Sequence, residues 1–360
     1  MSYAQSQRWA NFLDMISQIT KEPYGELQTE PNVEKGKLRG MSYAAVMLPG
    51  ERDGRQKPMQ DAVTSGSALQ LPGEHVHAFG VYDGHGRKGE DVSGFLKLHT
   101  LQHLARDCQA LATRDFNAGD VERESVRAYS GLNDALYRTG IDCSNSGSTS
   151  CVCLVADTQQ GRKLITLNVG DSRAVLGKRS GDGSYTHAIP LTWDQKPGVT
   201  SERRRISDVG GSVGVISPAL GQIFWLDDSV EEEGNDLSLQ LGVSSEYLKS
   251  TARVFIPGMP VPGLACSRSF GDESVEYLGV TATPEVTIRD ICQEDKVLVV
   301  ATDGVWEVLG NKEVMDIVTA HGEDERAGAA LVERAVDLWR QRQDGSYRDD
   351  IAVVIVKLHG

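Results

Sequence analysis

Cysteine is scarce: six residues in 360, at positions 108, 143, 151, 153, 266 and 292, with no CxxC pair. That is too few for a disulfide framework and lacks the spacing of structural zinc sites, so a reduced intracellular setting, cytoplasm or nucleus, is expected. Long apolar runs are missing too. None approaches the roughly 20 residues that span a bilayer. Residues 1–10 are polar, without the apolar core of a secretory signal; no glycine follows Met1, and no prenylation cysteine stands near the end. Positive charge is in deficit, 37 Lys and Arg against 51 Asp and Glu, which gives −14 and a pI near 5.1. A nucleic-acid binder carries a basic stripe, so neither nucleic acid nor membrane is expected as a partner. HExxH and P-loop patterns are also absent. What remains, 39% hydrophobic and 24% charged, is the composition of an ordinary globular protein.

Residues 4–20 place Trp9, Phe12, Leu13, Ile16 and Ile19 at helical spacing, and a polar stretch rich in Pro and Gly follows. Residues 1–40 are therefore expected to be an N-terminal extension carrying one amphipathic helix, ahead of a single domain over 41–360. Apolar runs predict strands at 42–47, 76–82, 149–156, 163–168, 174–178, 296–302 and 351–358. Spacings of three and four predict helices at 91–113, 121–139, 311–320 and 327–342. Strands cluster, then helices, then strands again, unlike the alternation of a doubly wound sheet. The acidic run LDDSVEEEGND at 226–236 marks an expected insertion at about 215–250.

Several aspartates stand where an apolar run gives out into glycine: Asp83 in AFGVYDGHG, Asp171 in LNVGDSRAVL and Asp303 in VLVVATDGVW. Asp349 precedes the last strand in RDDIAVVIV, and Asp61 follows a polar turn in KPMQDAV. One such residue is an ordinary turn. Several on strands of one core would repel one another, and the usual remedy is a hard divalent cation. The donors are oxygens, which favours Mg²⁺ or Mn²⁺ over Zn²⁺. His85, between Gly84 and Gly86, is the one histidine in this constellation and a candidate catalytic group.

The segments DGHG, SGSTS, NVGDSRAVL, LTWDQKP, VGGSV, LACSRSFGD, TPEV, ATDGVW and RDDIAVVIV occur in the order found in metal-dependent serine/threonine phosphatases of the PP2C (PPM) type. Each is weak alone; the ordered set from about 54 to 358 is specific. The resemblance implies an α+β fold, a four-layer αββα sandwich of two stacked antiparallel sheets flanked by helices. It also implies hydrolysis of phosphoserine and phosphothreonine in proteins, by attack of a hydroxide bridging two Mg²⁺ or Mn²⁺ ions, in a chain expected to be a monomer. Asp83 resembles the carboxylate that bridges the metals, and the Gly84 carbonyl a ligand of one of them. Asp303 and Asp349 resemble further ligands, and Asp61 the acid that holds metal-bound water. Asp171, Asp303 and Glu307 resemble the ligands of a weaker third ion found in some members. His85 resembles the general acid for the leaving oxygen. The phosphate-binding cation has two candidates, Arg55 and Lys57, and Arg55 is favoured because a guanidinium grips phosphate bidentately. Departures are Gln60 where many members have Glu, Glu307 for the usual Asp, and Gln195 for a common His.

The alternative is a catalytically inactive PP2C-like scaffold, which the intact carboxylate set and His85 disfavour. Residues 108–114, CQALATR, fit the C-x5-R pattern of cysteine phosphatases, but the segment lacks glycine and continues a helical run, so a chance match is expected. SERRRIS at 201–207 is expected to be a helix with solvated charges.

Overall fold

Several strands are apolar on both faces, and the packing explains why. In the Asp295–Ala301 strand, Leu298 and Val300 enter one hydrophobic cluster while Val297, Val299 and Ala301 enter another. The Ile351–Leu358 strand divides in the same way, with Ala352, Val354 and Val356 on one side and Ile351, Val353 and Ile355 on the other. In Val76–His85, Phe79 and Val81 join the shared cluster, whereas Ala78 and Tyr82 belong to a third. Successive strand residues point to opposite faces, so three clusters separated by two sheets require four layers.

The computed structural model describes residues 30–38, 40–71, 76–113, 116–179, 185–217, 220–227, 237, 241–322 and 325–358. The expected helix at 4–20 and most of the acidic run, 228–236, lie outside the described residues. One sheet has the antiparallel order Asn32–Leu38, Met41–Leu48, Ile351–Leu358, Asp295–Ala301, Arg173–Arg179, Tyr185–Pro190. The second runs Phe270–Gly271, Gly147–Ser148, Val76–His85, Ser150–Thr158, Gly161–Val169, Glu285–Asp290, and Asp61–Ala68 also pairs with Val76–His85. This is the expected αββα sandwich.

Helices Gly89–Asp107 and Ala118–Tyr137 cover the second sheet; Asn311–Ala320 and Glu325–Arg342 cover the first. Each buries one stripe, for example Val121, Ala128, Tyr129, Leu132 and Leu136. Among the described residues no helix is long and apolar enough to cross a membrane. The first helix stops at Asp107, short of the expected 113, and Cys108 closes it with a buried thiol that burial pushes up in pKa. A buried neutral thiol is no nucleophile; Arg114 lies outside the described residues.

Some strands were not legible in the apolar pattern. Asn32–Leu38, NVEKGKL, is largely exposed at the edge of its sheet, within the stretch expected to be a polar extension. Glu285–Asp290 is likewise an edge strand. Asp61–Ala68, DAVTSGSA, is small and polar, and its register shifts between Thr64 and Ser67 around Gly66 at φ 64°. A separate four-stranded sheet joins Ile223–Trp225, Ser212–Ile216, Arg253–Phe255 and Pro262–Leu264. Val215, Leu226 and Leu248 are buried in its cluster, so the flanks of the expected insertion are packed.

The helix Thr200–Asp208 ties this small sheet to the main body, and here the expectation of solvated charges is corrected: Glu202 and Arg203 are buried. The Glu202 carboxylate accepts from Ser267 Oγ at 2.6 Å, Arg268 Nη2 at 2.7 Å and Arg205 Nη1 at 2.7 Å. Burial alone would raise its pKa, but these donors outweigh burial and bring it from the usual 4.5 down to about 2. A depressed carboxylate contributes stability above its unfolded value and loses it as pH falls toward the folded one. Glu202→Gln is therefore expected to lower the melting temperature at pH 7 and to flatten the loss of stability between pH 4.5 and 2. Melts across that range check it; wild type and variant falling in parallel there would refute the assignment.

Candidate active site

Five segments deliver carboxylates to one end of the sandwich. Asp61 opens its strand and stands in register directly opposite Asp83 on the neighbouring strand. Asp303 starts the short helix Asp303–Trp306 just after the Asp295–Ala301 strand ends. Asp349 precedes the Ile351–Leu358 strand, and Asp171 lies in the turn between Gly161–Val169 and Arg173–Arg179. Gly84, between Asp83 and His85, is a close-approach position. A Cβ there would sit 2.6 Å from the Gln60 carbonyl oxygen and overlap that of Gly89, so a side chain would force the Asp61 and Asp83 segments apart.

The charges are not balanced within the cluster. Burial, and then Asp350, Asp349 and Asp303, push the Asp61 carboxyl well above its ordinary range, even though Thr302 Oγ1 donates to its Oδ2 at 2.8 Å. Asp61 Oδ1 is buried without a hydrogen-bond partner. Burial also raises Asp83, reinforced by Asp61, Asp349 and Asp171; a hydrogen bond shared with Asp303 only partly offsets this. Asp303 is raised by burial, Asp83, Asp171 and Asp349, which Lys196 only partly offsets. Like charges facing one another across a strand pair destabilise it.

Two lysines relieve the other members. Lys57 Nζ lies 2.7 Å from Asp349 Oδ1, and Lys196 Nζ lies 2.8 Å from Asp171 Oδ2 and 3.8 Å from Glu307 Oε1. Burial opposes the Lys57 charge, but Asp349 and Asp350 overcome it and hold the ammonium well above its usual range. Burial of Asp349 is in turn outweighed by Lys57, which lowers that carboxyl. Arg55 is exposed on the two-stranded turn Glu51–Arg52/Arg55–Gln56, so of the two phosphate-binding candidates Lys57 is the one inside the cluster. Glu307 is exposed and also meets Arg342 at 3.3 Å. Among the described residues no three His, Cys, Asp or Glu side chains converge on one point as ion ligands. The donors are turned toward the lysines and toward each other. Their chemistry nevertheless fits a hard divalent ion: oxygen donors only, three of them held above their ordinary range by burial and by one another, and one lone buried oxygen, Asp61 Oδ1.

His85 ends the central strand of its sheet, and its Nε2 lies 2.7 Å from Asp272 Oδ2. Burial opposes protonation of the ring, but Asp272 outweighs it and lifts the imidazole above its ordinary pKa. Asp272, Lys196, Thr302 and Asp350 were missed as site residues by sequence reasoning. Asp350 accepts from the backbone N–H groups of Gln60, at 2.8 Å, and Gly50. The signals were present in SRSFGD, LTWDQKP, ATDGVW and RDDIAVV, but spacing gives no direction for a side chain. Gln195 is structural, as expected: its Oε1 accepts from the Gly170 N–H at 2.7 Å. A groove of about 530 Å³ between the Asp61–Ala68 strand and the Gly89–Asp107 helix includes none of these residues.

The profile of the family described as Protein phosphatase 2C matches residues 48–344. The chain belongs to the protein phosphatase 2C family. "Probable protein phosphatase 2C 64" of Oryza sativa subsp. japonica is 34% identical over 285 residues, which are 78% of this chain and 58% of that protein. The chain thus spans little more than half the length of that relative. "Probable protein phosphatase 2C 12" of the same organism is 33% identical over 344 residues, 85% of this chain and 79% of that protein. A solved serine-threonine phosphatase 2C from Toxoplasma gondii superposes with TM-score 0.63 over 92% of this chain and 99% of that one, at 20% identity, and so supports the family fold.

Removing one uncompensated carboxylate should relieve repulsion while spoiling ion binding. Asp83→Asn is expected to melt above wild type in chelator. Mn²⁺ should raise the wild-type melting temperature, by about 2.7 kcal/mol in stability at a hundredfold excess over Kd, and the variant's far less. An equal Mn²⁺ response in both would place the ion elsewhere.

Proposed function

We propose that this chain is a metal-dependent protein phosphatase that hydrolyses phosphoserine and phosphothreonine in proteins, with His85 as general acid. The observation that carries the reading is the set of mutually repelling carboxylates, Asp61, Asp83 and Asp303, gathered beside a carboxylate-held histidine. Asp83, Asp303, Asp349 and the Gly84 carbonyl are the residues that would hold two Mg²⁺ or Mn²⁺ ions, with Asp61 holding their waters. Asp171 and Glu307, with Asp303, are the candidates for a third. When bound, such ions supply an activated water and positive charge for the phosphoryl oxygens.

The chain's own residues do the rest. Lys57 and Arg55 are the cations available to orient phosphate at the mouth of the site, Lys57 from within the cluster and Arg55 from the exposed turn. His85, protonated through its contact with Asp272, delivers a proton to the departing serine or threonine oxygen. No Ser or Cys nucleophile is required, which agrees with the buried thiol of Cys108.

Hydrolysis of nitrophenyl phosphate and of phosphoserine peptides is expected with Mn²⁺ or Mg²⁺ and lost in excess EDTA. Because nitrophenolate leaves unprotonated, His85→Ala should slow the peptide reaction by roughly 10²–10⁴ and the aryl reaction much less. Full activity in EDTA would overturn the metal assignment. Absence of turnover on both substrates with Mn²⁺ binding intact would leave the scaffold reading.

A further inference from the structure

We propose that Asp272 is the positioning residue that sets the His85 ring for proton donation, and that Ser269 and Gly147 make that contact possible. The inference rests on the general-acid reading of His85. Three chain segments meet on one hydrogen bond. His85 stands at the end of its strand, and Gly147 is in register opposite both His85 and Gly271. Asp272, which follows the short Phe270–Gly271 strand, is only 2% exposed and adopts the left-handed conformation, φ 49° and ψ 42°. That conformation is uncommon outside glycine, although Asp and Asn can adopt it, and here hydrogen bonds hold it in place. The Asp272 N–H donates to the Ser146 carbonyl at 3.0 Å, the Gly271 N–H donates to Asn133 Oδ1 at 3.0 Å, and Ser269 Oγ donates to Asp272 Oδ2 at 2.6 Å.

Gly147 gives the reason for a residue without a side chain in SGSTS. A Cβ at 147 would lie 2.8 Å from His85 Nε2 and overlap Asp272 Oδ2, the two atoms of the hydrogen bond. Any larger residue there would enter the space between ring and carboxylate.

The chemistry follows from the polarity of the contact. A carboxylate accepts, so Nε2 carries a proton and donates it to Asp272; Nδ1 has no hydrogen-bond partner among the described residues. Nδ1 is then the nitrogen that faces reaction. In the imidazolium form its N–H proton passes to the leaving oxygen as the phosphorus–oxygen bond breaks. The ring is left neutral with Nε2–H still held by Asp272, and solvent returns the proton. Asp272 fixes the orientation of the ring and which nitrogen presents the proton, without touching the phosphoryl group itself.

The test compares Asp272→Asn, His85→Ala, the double variant and Ser269→Ala on a phosphoserine peptide and on nitrophenyl phosphate, with Mn²⁺ affinity from calorimetry. Asn keeps the size and tolerates the left-handed backbone but removes the charge. Asp272→Asn should slow the peptide reaction toward the roughly 10²–10⁴ of a missing acid, yet slow the aryl reaction less than about threefold. Its Mn²⁺ affinity should match wild type, the double variant should be no slower than His85→Ala, and Ser269→Ala should show a smaller loss of the same selectivity. Equal losses on both substrates, weakened Mn²⁺ binding, or losses that multiply in the double variant would each overturn the proposal. If His85→Ala is selective and Asp272→Asn is not, this inference alone fails. If His85→Ala itself lacks selectivity, the general-acid reading fails and takes this inference with it. Should Asp272→Asn not fold, Ser269→Ala decides, and an unselective loss there counts against the proposal.

Discussion

Mutual repulsion among carboxylates is the constraint around which this end of the molecule is organised. Asp61 and Asp83 face each other across adjacent strands, and Asp303 shares a hydrogen bond with Asp83. Left to themselves such groups would separate or take up protons. They stay together because each is attached to backbone that cannot yield. The strand of Asp83 is buried between its neighbours on both edges, Asp303 follows a strand apolar on both faces, and Asp349 leads into another. The stacked apolar layers supply the rigidity, and the charges supply the affinity for a cation. A sandwich with a softer core would relax the cluster and lose the site.

The protein tempers this repulsion unevenly. Lys57 and Lys196 each pair with one carboxylate, whereas among the described residues Asp61 and Asp83 have no lysine partner and Asp303 is only partly relieved by Lys196. The asymmetry divides the site into a corner where charge is already balanced and a centre where it is not. Electrostatic attraction for an incoming cation is therefore focused on the centre. The Asp171–Glu307 corner, which the family resemblance gives to a weaker third ion, carries a tethered ammonium that any such ion would have to displace.

Much of this was legible in the sequence, for identifiable reasons. Strands such as Ile351–Leu358 and Arg173–Arg179 are apolar on both faces because they lie between two layers, and that makes them conspicuous. Asn32–Leu38 and Glu285–Asp290 lie at edges, where one exposed face accepts polar residues and the pattern fades. Asp83, Asp171 and Asp303 were recognisable because each stands where an apolar run meets glycine, and Asp349 because it precedes the final strand, whereas Asp61 follows only a polar turn. Asp272 and Lys196 carried no comparable mark. Both belong to segments whose resemblance to the family was clear, but what a side chain meets across the fold is decided by packing. Glu202 and Arg203 taught the same lesson in reverse: a charged stretch that looked solvated proved to be a buried clamp.

The position of the final strand has a consequence for how the molecule comes into being. Ile351–Leu358 does not lie at an edge; it is inserted between Met41–Leu48 and Asp295–Ala301. Until it arrives, the first sheet is split in two and Asp349 is absent from the cluster. Joining residues some three hundred positions apart is among the slowest events in folding, because loop closure precedes the contacts that reward it. A chain still emerging from the ribosome can form the hairpins of the second sheet, yet it cannot assemble the complete ion-binding cluster. The cluster is thus complete only once this interior strand is paired on both edges.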